Sequence, residues 1–120
     1  MAITGLDHVQ VAIPTGGEDV ARSFYGDVLS MTEMPKPPVL AARGGCWFTS
    51  GDAVLHLGVE DPFQPARKAH PAFLIDDLDG IESTLIAKGY ESVRSDDQIP
   101  GVRRLHTFDP FGNRIELQQA

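Results

Sequence analysis

The amino-acid sequence repeats one pattern in its two halves, and this repeat constrains the fold more than any other feature. His8 and His70 each lie at the start of an alternating apolar segment, while His56 and Glu116 each lie in the apolar segment that closes a half. A chain of 120 residues is one domain in size, so the two halves are expected to share a core. We therefore predict one domain, 1–120, built from modules at about 1–60 and 69–120 with a linker at 61–68.

Hydrophobic periodicity predicts the order β-α-β-β-β in each half. The first half is predicted to contain a strand over 6–13, a helix of about three turns after Gly17, and strands over 39–43, 46–49 and 53–59. The second half is predicted to contain a strand over 70–75, a helix over 78–88, and strands near 91–94, 103–108 and 113–118. The proline-rich segment 34–38 is predicted to lie extended on the surface. The predicted fold class is α+β, with paired βαβββ modules that form a cupped mixed sheet.

The charge and composition exclude several classes of protein. The formal net charge is −7, whereas binding to nucleic acid or to an anionic membrane surface needs an excess of Lys and Arg. The single cysteine, Cys46, cannot form an internal disulfide, which fits a reducing compartment. The sequence contains no apolar run of about 18 residues, and its first residues lack the basic and apolar blocks of an export signal. We therefore expect a soluble cytoplasmic protein that binds neither nucleic acid nor membranes.

Strand alternation tests whether the repeated polar residues form one site. On their predicted strands, His8, His56, His70 and Glu116 all point away from the most apolar face. Taken singly, each is interpreted as a surface residue or a hydrogen-bonded structural residue. Unrelated surface residues, however, have no reason to occupy equivalent positions in both halves, and three imidazoles with one carboxylate suit a divalent metal ion. The pattern therefore predicts a metal site formed by these four residues.

Other side chains near these strands are candidates for the wall of the site. Arg103 and Arg104 are candidates for binding a carboxylate or phosphonate of the substrate, and alternation allows only one of them to face the cavity; the alternative is that both are solvated. Trp47 is a candidate substrate-binding residue, with a place in the core as the alternative. His106 has no counterpart of a ligating type in the first half, so it is interpreted as a surface residue, with a place in the pocket wall as the alternative. Asp7 is predicted to point away from His8 and is not assigned as its partner.

Four segments of the chain carry motifs of a known superfamily. They are the opening Leu6-Asp7-His8-Val9, the pair Phe24-Tyr25 with Leu29, His70 followed by Phe73 and Asp76-Asp77-Leu78, and above all Asp109-Pro110-Phe111-Gly112-Asn113-Arg114-Ile115-Glu116-Leu117. Together they resemble the vicinal oxygen chelate superfamily, which includes glyoxalase I, fosfomycin resistance proteins, extradiol dioxygenases, methylmalonyl-CoA epimerase and bleomycin resistance proteins. The resemblance covers nearly the whole chain. It implies paired βαβββ modules in a cupped sheet and a homodimer whose sites can combine modules from both chains.

The resemblance also implies which residues hold the metal. The ligand positions of the superfamily fall on His8, His56, His70 and Glu116. Glyoxalase I and the epimerase usually carry a carboxylate or an amide at the position of His56, whereas the fosfomycin enzymes and the extradiol dioxygenases use three ligands at positions that match the other three residues. His56 is therefore a fourth ligand, a base or a donor in the pocket.

The ligand set and the resemblance together predict a divalent-metal-dependent, glyoxalase-like enzyme of the lyase, isomerase, transferase or dioxygenase type. The ion, Zn²⁺, Ni²⁺, Co²⁺, Fe²⁺ or Mn²⁺, would bind a small substrate through two neighbouring oxygens and stabilise an enediolate or an oxyanion. Glu116 or His56 would move a proton. The alternative is a metal-free protein that sequesters a small molecule, as bleomycin resistance proteins do, and the acidic charge fits a cationic ligand of that kind.

Overall fold

The chain forms two four-stranded mixed sheets, one from each half, in a computed structural model that describes residues 1–120. The first half contains β1 (Val9–Ile13), α1 (Glu18–Ala21), which continues as the π-helical segment Arg22–Val28, β2 (Thr32–Met34), α2 (Pro38–Ala41), β3 (Cys46–Ser50) and β4 (Ala53–Val59). The second half contains β5 (Ala72–Ile75), α3 (Leu78–Ala87), β6 (Val93–Arg94), β7 (Arg104–Phe108) and β8 (Arg114–Gln119). Apart from the short α2, both halves have the predicted βαβββ order, and the predicted α+β fold class is confirmed.

The two sheets have the same topology, which leaves the first strand of each half at an edge. The strand orders are β1-β4-β3-β2 and β5-β8-β7-β6. β1 runs parallel to β4 and β5 runs parallel to β8, while the other neighbours are antiparallel. No strand ladder joins the two sheets. The outer edges of β1 and β5 therefore have no neighbouring strand within the chain.

One face of each sheet packs against the helices in a hydrophobic core that draws side chains from both halves. The π-helical segment buries Phe24 and Tyr25, and the ring of Phe24 contacts the ring of Tyr90 from the second half at a centroid distance of 5.0 Å. Burying each such apolar side chain stabilises the fold by about 1.5–3 kcal/mol. The fully buried aliphatic residues lie on both sheets and on α3: Ile13, Leu55, Leu57, Leu78, Leu85, Leu105, Ile115 and Leu117. Because alternate residues fill this core, the opposite face of each sheet remains for polar side chains.

The turn between β7 and β8 fastens the two halves together. The Asp109 carboxylate accepts hydrogen bonds from the backbone N–H groups of Phe111 and Asn113 and from the hydroxyl of Tyr25. The Asn113 side chain donates to the carbonyl oxygen of Ala12, at the end of β1, and accepts from the backbone N–H of Ala66. These bonds close the β7–β8 hairpin and tie it to the linker and to the first sheet. The Asp-Pro-x-Gly-Asn motif therefore has a structural role in this fold.

Two local predictions are wrong, and the first helix differs from an ordinary α-helix in its winding. The predicted strand over 39–43 is the helical turn α2, because Pro37 is extended and Pro38 occupies the first helical position, where its fixed φ is favourable. The edge strand is instead β2. The predicted strand over 6–13 begins only at Val9. The predicted helix after Gly17 is present over 18–28, but it winds mostly as a π-helix, in which the N–H of Leu29 bonds to the carbonyl oxygen of Phe24. None of the helices is long and apolar enough to cross a membrane.

Candidate functional site

Three ligand-type side chains meet on the polar face of the second sheet. His106 on β7 lies directly opposite Glu116 on β8 in the strand register. His70 lies just before β5, and Ala72 on β5 is the register partner of Glu116. The possible ligand atoms of His70, His106 and Glu116 all lie within 4.8 Å of one another. This spacing matches a cluster that can hold one ion.

The carboxylate of Glu116 is the centre of this cluster. Its Oε1 atom lies 2.9 Å from His70 Nε2, 3.0 Å from His106 Nε2 and 3.1 Å from Arg104 Nη1. Burial alone would raise the pKa of Glu116, but the contacts with His70 and Arg104 outweigh burial and hold the pKa below its usual range. Glu116 is therefore ionised at neutral pH. Burial has the largest effect in lowering the pKa of His106, and the positive charge of the nearby Arg114 lowers it further, so the ring is uncharged at neutral pH.

The hydrogen bonds of His70 make it a suitable metal ligand. Its Nδ1 lies 2.9 Å from the carbonyl oxygen of Lys68, which can only accept, so the proton is assigned to Nδ1. Nε2 of the same ring lies 2.9 Å from the Glu116 oxygen. A proton on Nε2 or a metal ion bound by both atoms can bridge this contact. The donor set and its spacing therefore fit a divalent cation shared by His70 and Glu116.

A second group of rings lies on the polar face of the first sheet. The His56 ring stacks on Trp47 at 3.8 Å with an interplanar angle of 3°, and its other face stacks on His8 at 4.0 Å. The strand register places His56 on β4 directly opposite Trp47 on β3. His8 Nδ1 lies 2.8 Å from the Asp7 carboxylate, which leaves Nε2 of His8 free to act as a ligand. Burial, followed by the proximity of His8, lowers the pKa of His56.

The structure divides the four predicted ligands into two pairs. His70 and Glu116 lie together on the second sheet, while His8 and His56 lie together on the first and outside the 4.8 Å cluster. His8 and His70 line one cleft of about 920 Å³ between the halves. A single site containing all four residues stays a prediction, because the two pairs are separate within one chain.

Two predictions about individual residues are wrong. His106 is not a surface residue: it is 9% exposed and contacts Glu116. The β7–β8 turn could have identified His106, because the position of a hairpin turn determines which residue of one strand pairs with Glu116 on the other. Asp7 was expected to point away from His8, but the two side chains form a hydrogen bond. Strand alternation does not apply to them because β1 begins only at Val9.

Arg103 and Arg104 point to opposite faces of the second sheet, as strand alternation requires. Arg104 donates to Glu116 on the polar face, whereas Arg103 forms an ion pair with Asp79 of α3 and points away from the cluster. Trp47 lies on the polar face of the first sheet, stacked on His56. Substrate binding by any of these residues stays a prediction.

Comparisons with known proteins agree with this architecture. The profile of the glyoxalase/bleomycin resistance protein/dioxygenase superfamily matches residues 5–117. A solved protein of the glyoxalase family from Bacillus anthracis is 49% identical, with a TM-score of 0.92 over 99% of this chain and 97% of that chain. The genomically encoded fosfomycin resistance protein FosX from Listeria monocytogenes shares the fold at 17% identity, with a TM-score of 0.78 over 99% of this chain and 95% of that chain. No curated protein matches the chain. The chain therefore belongs to the glyoxalase/bleomycin resistance protein/dioxygenase superfamily.

Proposed function

We propose that the chain is a divalent-metal-dependent enzyme of the glyoxalase type, which acts on a small substrate through two neighbouring oxygens. The observation that carries this proposal is the 2.9 Å contact between His70 Nε2 and Glu116 Oε1, in a cluster whose possible ligand atoms all lie within 4.8 Å of one another. Imidazole and carboxylate together suit Zn²⁺, Ni²⁺, Co²⁺, Fe²⁺ or Mn²⁺. A protein that only sequesters a small molecule has no need of this contact.

We further propose that His8 of a second copy completes the ligand set, so that the active form is a homodimer. His8 and His70 occupy equivalent positions in the two halves, and in both an oxygen acceptor binds Nδ1, so that Nε2 is the atom directed toward an ion. An orienting acceptor of this kind is typical of metal-binding histidines. His106 has no such acceptor on Nδ1 and, as a neutral ring, can donate from Nε2 to Glu116. We therefore assign His106 to holding Glu116 rather than to binding the ion.

The exposed surfaces of a single chain support a second copy at the site. All of residues 1–8 are exposed, and the apolar side chain of Leu6 is 86% exposed beside His8. Leu74 on the edge strand β5 is 69% exposed. The outer edges of β1 and β5 are unpaired as well. A dimer that places β1 of one copy beside β5 of the other would cover these surfaces and bring His8 to His70.

The proposed chemistry divides between the ion and the protein. A divalent ion supplies Lewis-acid stabilisation of negative charge on the two substrate oxygens. Arg104 and His106 hold the Glu116 carboxylate in place through their hydrogen bonds. Because burial and His8 lower the pKa of His56, its ring is uncharged at neutral pH and can accept a proton from the substrate. Trp47 stacks on one face of the His56 ring and fixes its orientation.

Metal retention tests this proposal directly. Metal-free protein would be incubated with each of the five ions, desalted and analysed for bound metal, alongside the variants His8→Ala, His70→Ala, His106→Gln and the surface control Gln64→Ala. We expect about one ion per chain in the parent and the control, reduced retention in His106→Gln, and none in His8→Ala or His70→Ala. The retained ion would then be used to screen dicarbonyl, epoxide and catechol substrates.

Two results would contradict the proposal in different ways. Absence of retained metal in the parent would refute the metal site. The remaining interpretation would then be a metal-free protein that sequesters a small molecule. Full retention in His8→Ala together with loss in His106→Gln would replace the proposed ligand set by His70, His106 and Glu116 of one chain.

A further inference from the structure

The polar face of the second sheet has an unusual charge for so acidic a chain. Strand register places six side chains on this face, which we call the Glu116 face: Arg104, His106 and Phe108 of β7, and Arg114, Glu116 and Gln118 of β8. Glu116 is the only carboxylate among them, and two of the six are arginines. The chain as a whole has a net charge of −7. The Glu116 face is therefore locally positive even before an ion is added.

Arg114 differs from the other partly buried arginines of the chain. Arg94 forms ion pairs with Asp79, Glu82 and Asp96, and Arg104 forms one with Glu116. Arg114 is half-buried and forms no ion pair with any carboxylate. A guanidinium that is partly removed from water without an anionic partner gives up hydration for no compensating bond. An anionic oxygen of a ligand would supply that bond.

The position of Arg114 places its free guanidinium next to the proposed metal centre. Arg114 and Glu116 are two residues apart on β8, about 7 Å along the strand, and their side chains point to the same face. A small cavity of about 280 Å³ is lined by both Arg114 and His70. Arg114 is the only formally charged side chain that lines it, among mostly apolar residues and the amides Gln10 and Asn113. A small ligand in this cavity would reach His70 and Arg114 together.

Arg104 offers a second donor beside the same carboxylate. Its Nη1 donates to Glu116, but its Nε–H is buried and has no acceptor. A buried donor without a partner is unfavourable, and rotation of the guanidinium toward a ligand oxygen would relieve it. Both arginines of the Glu116 face therefore have donors available for an anion.

We propose that the substrate carries an anionic group, a carboxylate or a phosphoryl group, which Arg114 binds within a few bonds of the two oxygens that reach the metal. This inference rests on the proposed function and names the substrate class of that site. Arg114 is a specificity-determining residue in this account, because it selects charged over neutral substrates without taking part in bond making. The planar fork of its guanidinium matches the oxygens of a carboxylate or a phosphoryl group.

Three small molecules with one carbon skeleton test the proposal. Glycerol, glycerate and glycerol 3-phosphate all carry two neighbouring oxygens, and only the last two carry an anionic group. Each would be titrated calorimetrically into the parent protein, in its metal-loaded and metal-free forms, and into Arg114→Gln, Arg114→Lys and Arg43→Gln. Arg43 is exposed and lines neither cavity, so its variant removes the same charge at a distance. Unfolding midpoints of all variants would establish that each one is folded.

We expect the parent to bind at least one of the two anions about tenfold or more tightly than glycerol. Arg114→Gln should remove this preference, Arg114→Lys should retain part of it, and Arg43→Gln should bind like the parent. The tighter of the two anions identifies a phosphoryl or a carboxylate group as the recognised one. Equal binding of glycerol and both anions by the parent, or equal effects of Arg114→Gln and Arg43→Gln, would overturn the proposal.

Failure of the proposed function would be visible separately. If the parent retains no metal, the metal centre is refuted by the metal analysis alone. The comparison of Arg114→Gln with Arg43→Gln in the metal-free protein then decides the anion site by itself. A preference for anions that depends on Arg114 would support the site, and its absence would refute it.

Discussion

The substitution Asn113→Ala tests the structural role of the β7–β8 turn. The Asn113 side chain is 1% exposed and makes three hydrogen bonds, to the Ala12 carbonyl at 2.8 Å, to the Asp109 carboxylate at 2.9 Å and from the Ala66 N–H at 2.8 Å. Each of the two bonds between neutral groups contributes about 1 kcal/mol and the bond to the carboxylate about 1.5–3 kcal/mol, so the loss is about 3.5–5 kcal/mol. This is a large part of the roughly 5–15 kcal/mol that stabilises a typical domain.

Urea unfolding at one fixed protein concentration measures the effect. The midpoint should fall while the dependence of the free energy of unfolding on urea stays the same, because the substitution removes bonds and leaves the buried area nearly unchanged. Gln64→Ala is the matched control, since the Gln64 side chain is exposed and only its backbone N–H makes a hydrogen bond, to Glu60, which the substitution leaves in place. A loss below about 1 kcal/mol for Asn113→Ala would refute the claim that this side chain fastens the two halves together.

Three further predictions concern single ionisable groups. The pKa of Glu116 is lower in the folded state than its ordinary value of 4.5. The ionised carboxylate therefore stabilises the fold above pH 4.5, and this stabilisation is lost as the pH falls through the folded pKa. In metal-free protein, the unfolding midpoint should fall more steeply on acidification in the parent than in Glu116→Gln. Burial raises the pKa of the Cys46 thiol to about 11, so it should react with a disulfide reagent at pH 8 only as fast as the chain unfolds, and rapid reaction in the folded protein would contradict this. Asp7→Ala should lower metal affinity about 10- to 100-fold in competition with a chelator, because it removes the hydrogen bond that orients His8, and an unchanged affinity would refute this orienting role of Asp7.

The sequence predicted the strands that carry the site better than the site itself. Alternation of Val54 to Val59 and of Asn113 to Gln118 correctly placed His56 and Glu116 on the faces opposite the core, because one face of each sheet is buried and that fixes the side-chain direction. The same reasoning failed for Asp7, where the chain is not yet a strand. It also failed for His106, whose importance comes from pairing across a hairpin rather than from its own segment.

The relative placement of the two halves could not be predicted from periodicity. Each half specifies its own sheet through local patterns, but the distance between the pair His8 and His56 and the pair His70 and Glu116 depends on how two sheets pack. The repeat made convergence of all four residues the simplest expectation. The structure instead places the first pair in a stack of rings and the second pair in a hydrogen-bonded cluster within each chain.

The most direct test of the account is whether two defective chains form one metal site together. His8→Ala and His70→Ala would be produced with different affinity tags, mixed under conditions that exchange subunits, and the doubly tagged dimer would be isolated. In the proposed arrangement this dimer contains one complete site, from His8 of one copy and His70 with Glu116 of the other. We predict one bound ion per mixed dimer, with none in either variant alone and two in the parent dimer. No bound metal in the mixed dimer, while the parent retains its ions, would contradict a site shared between two copies.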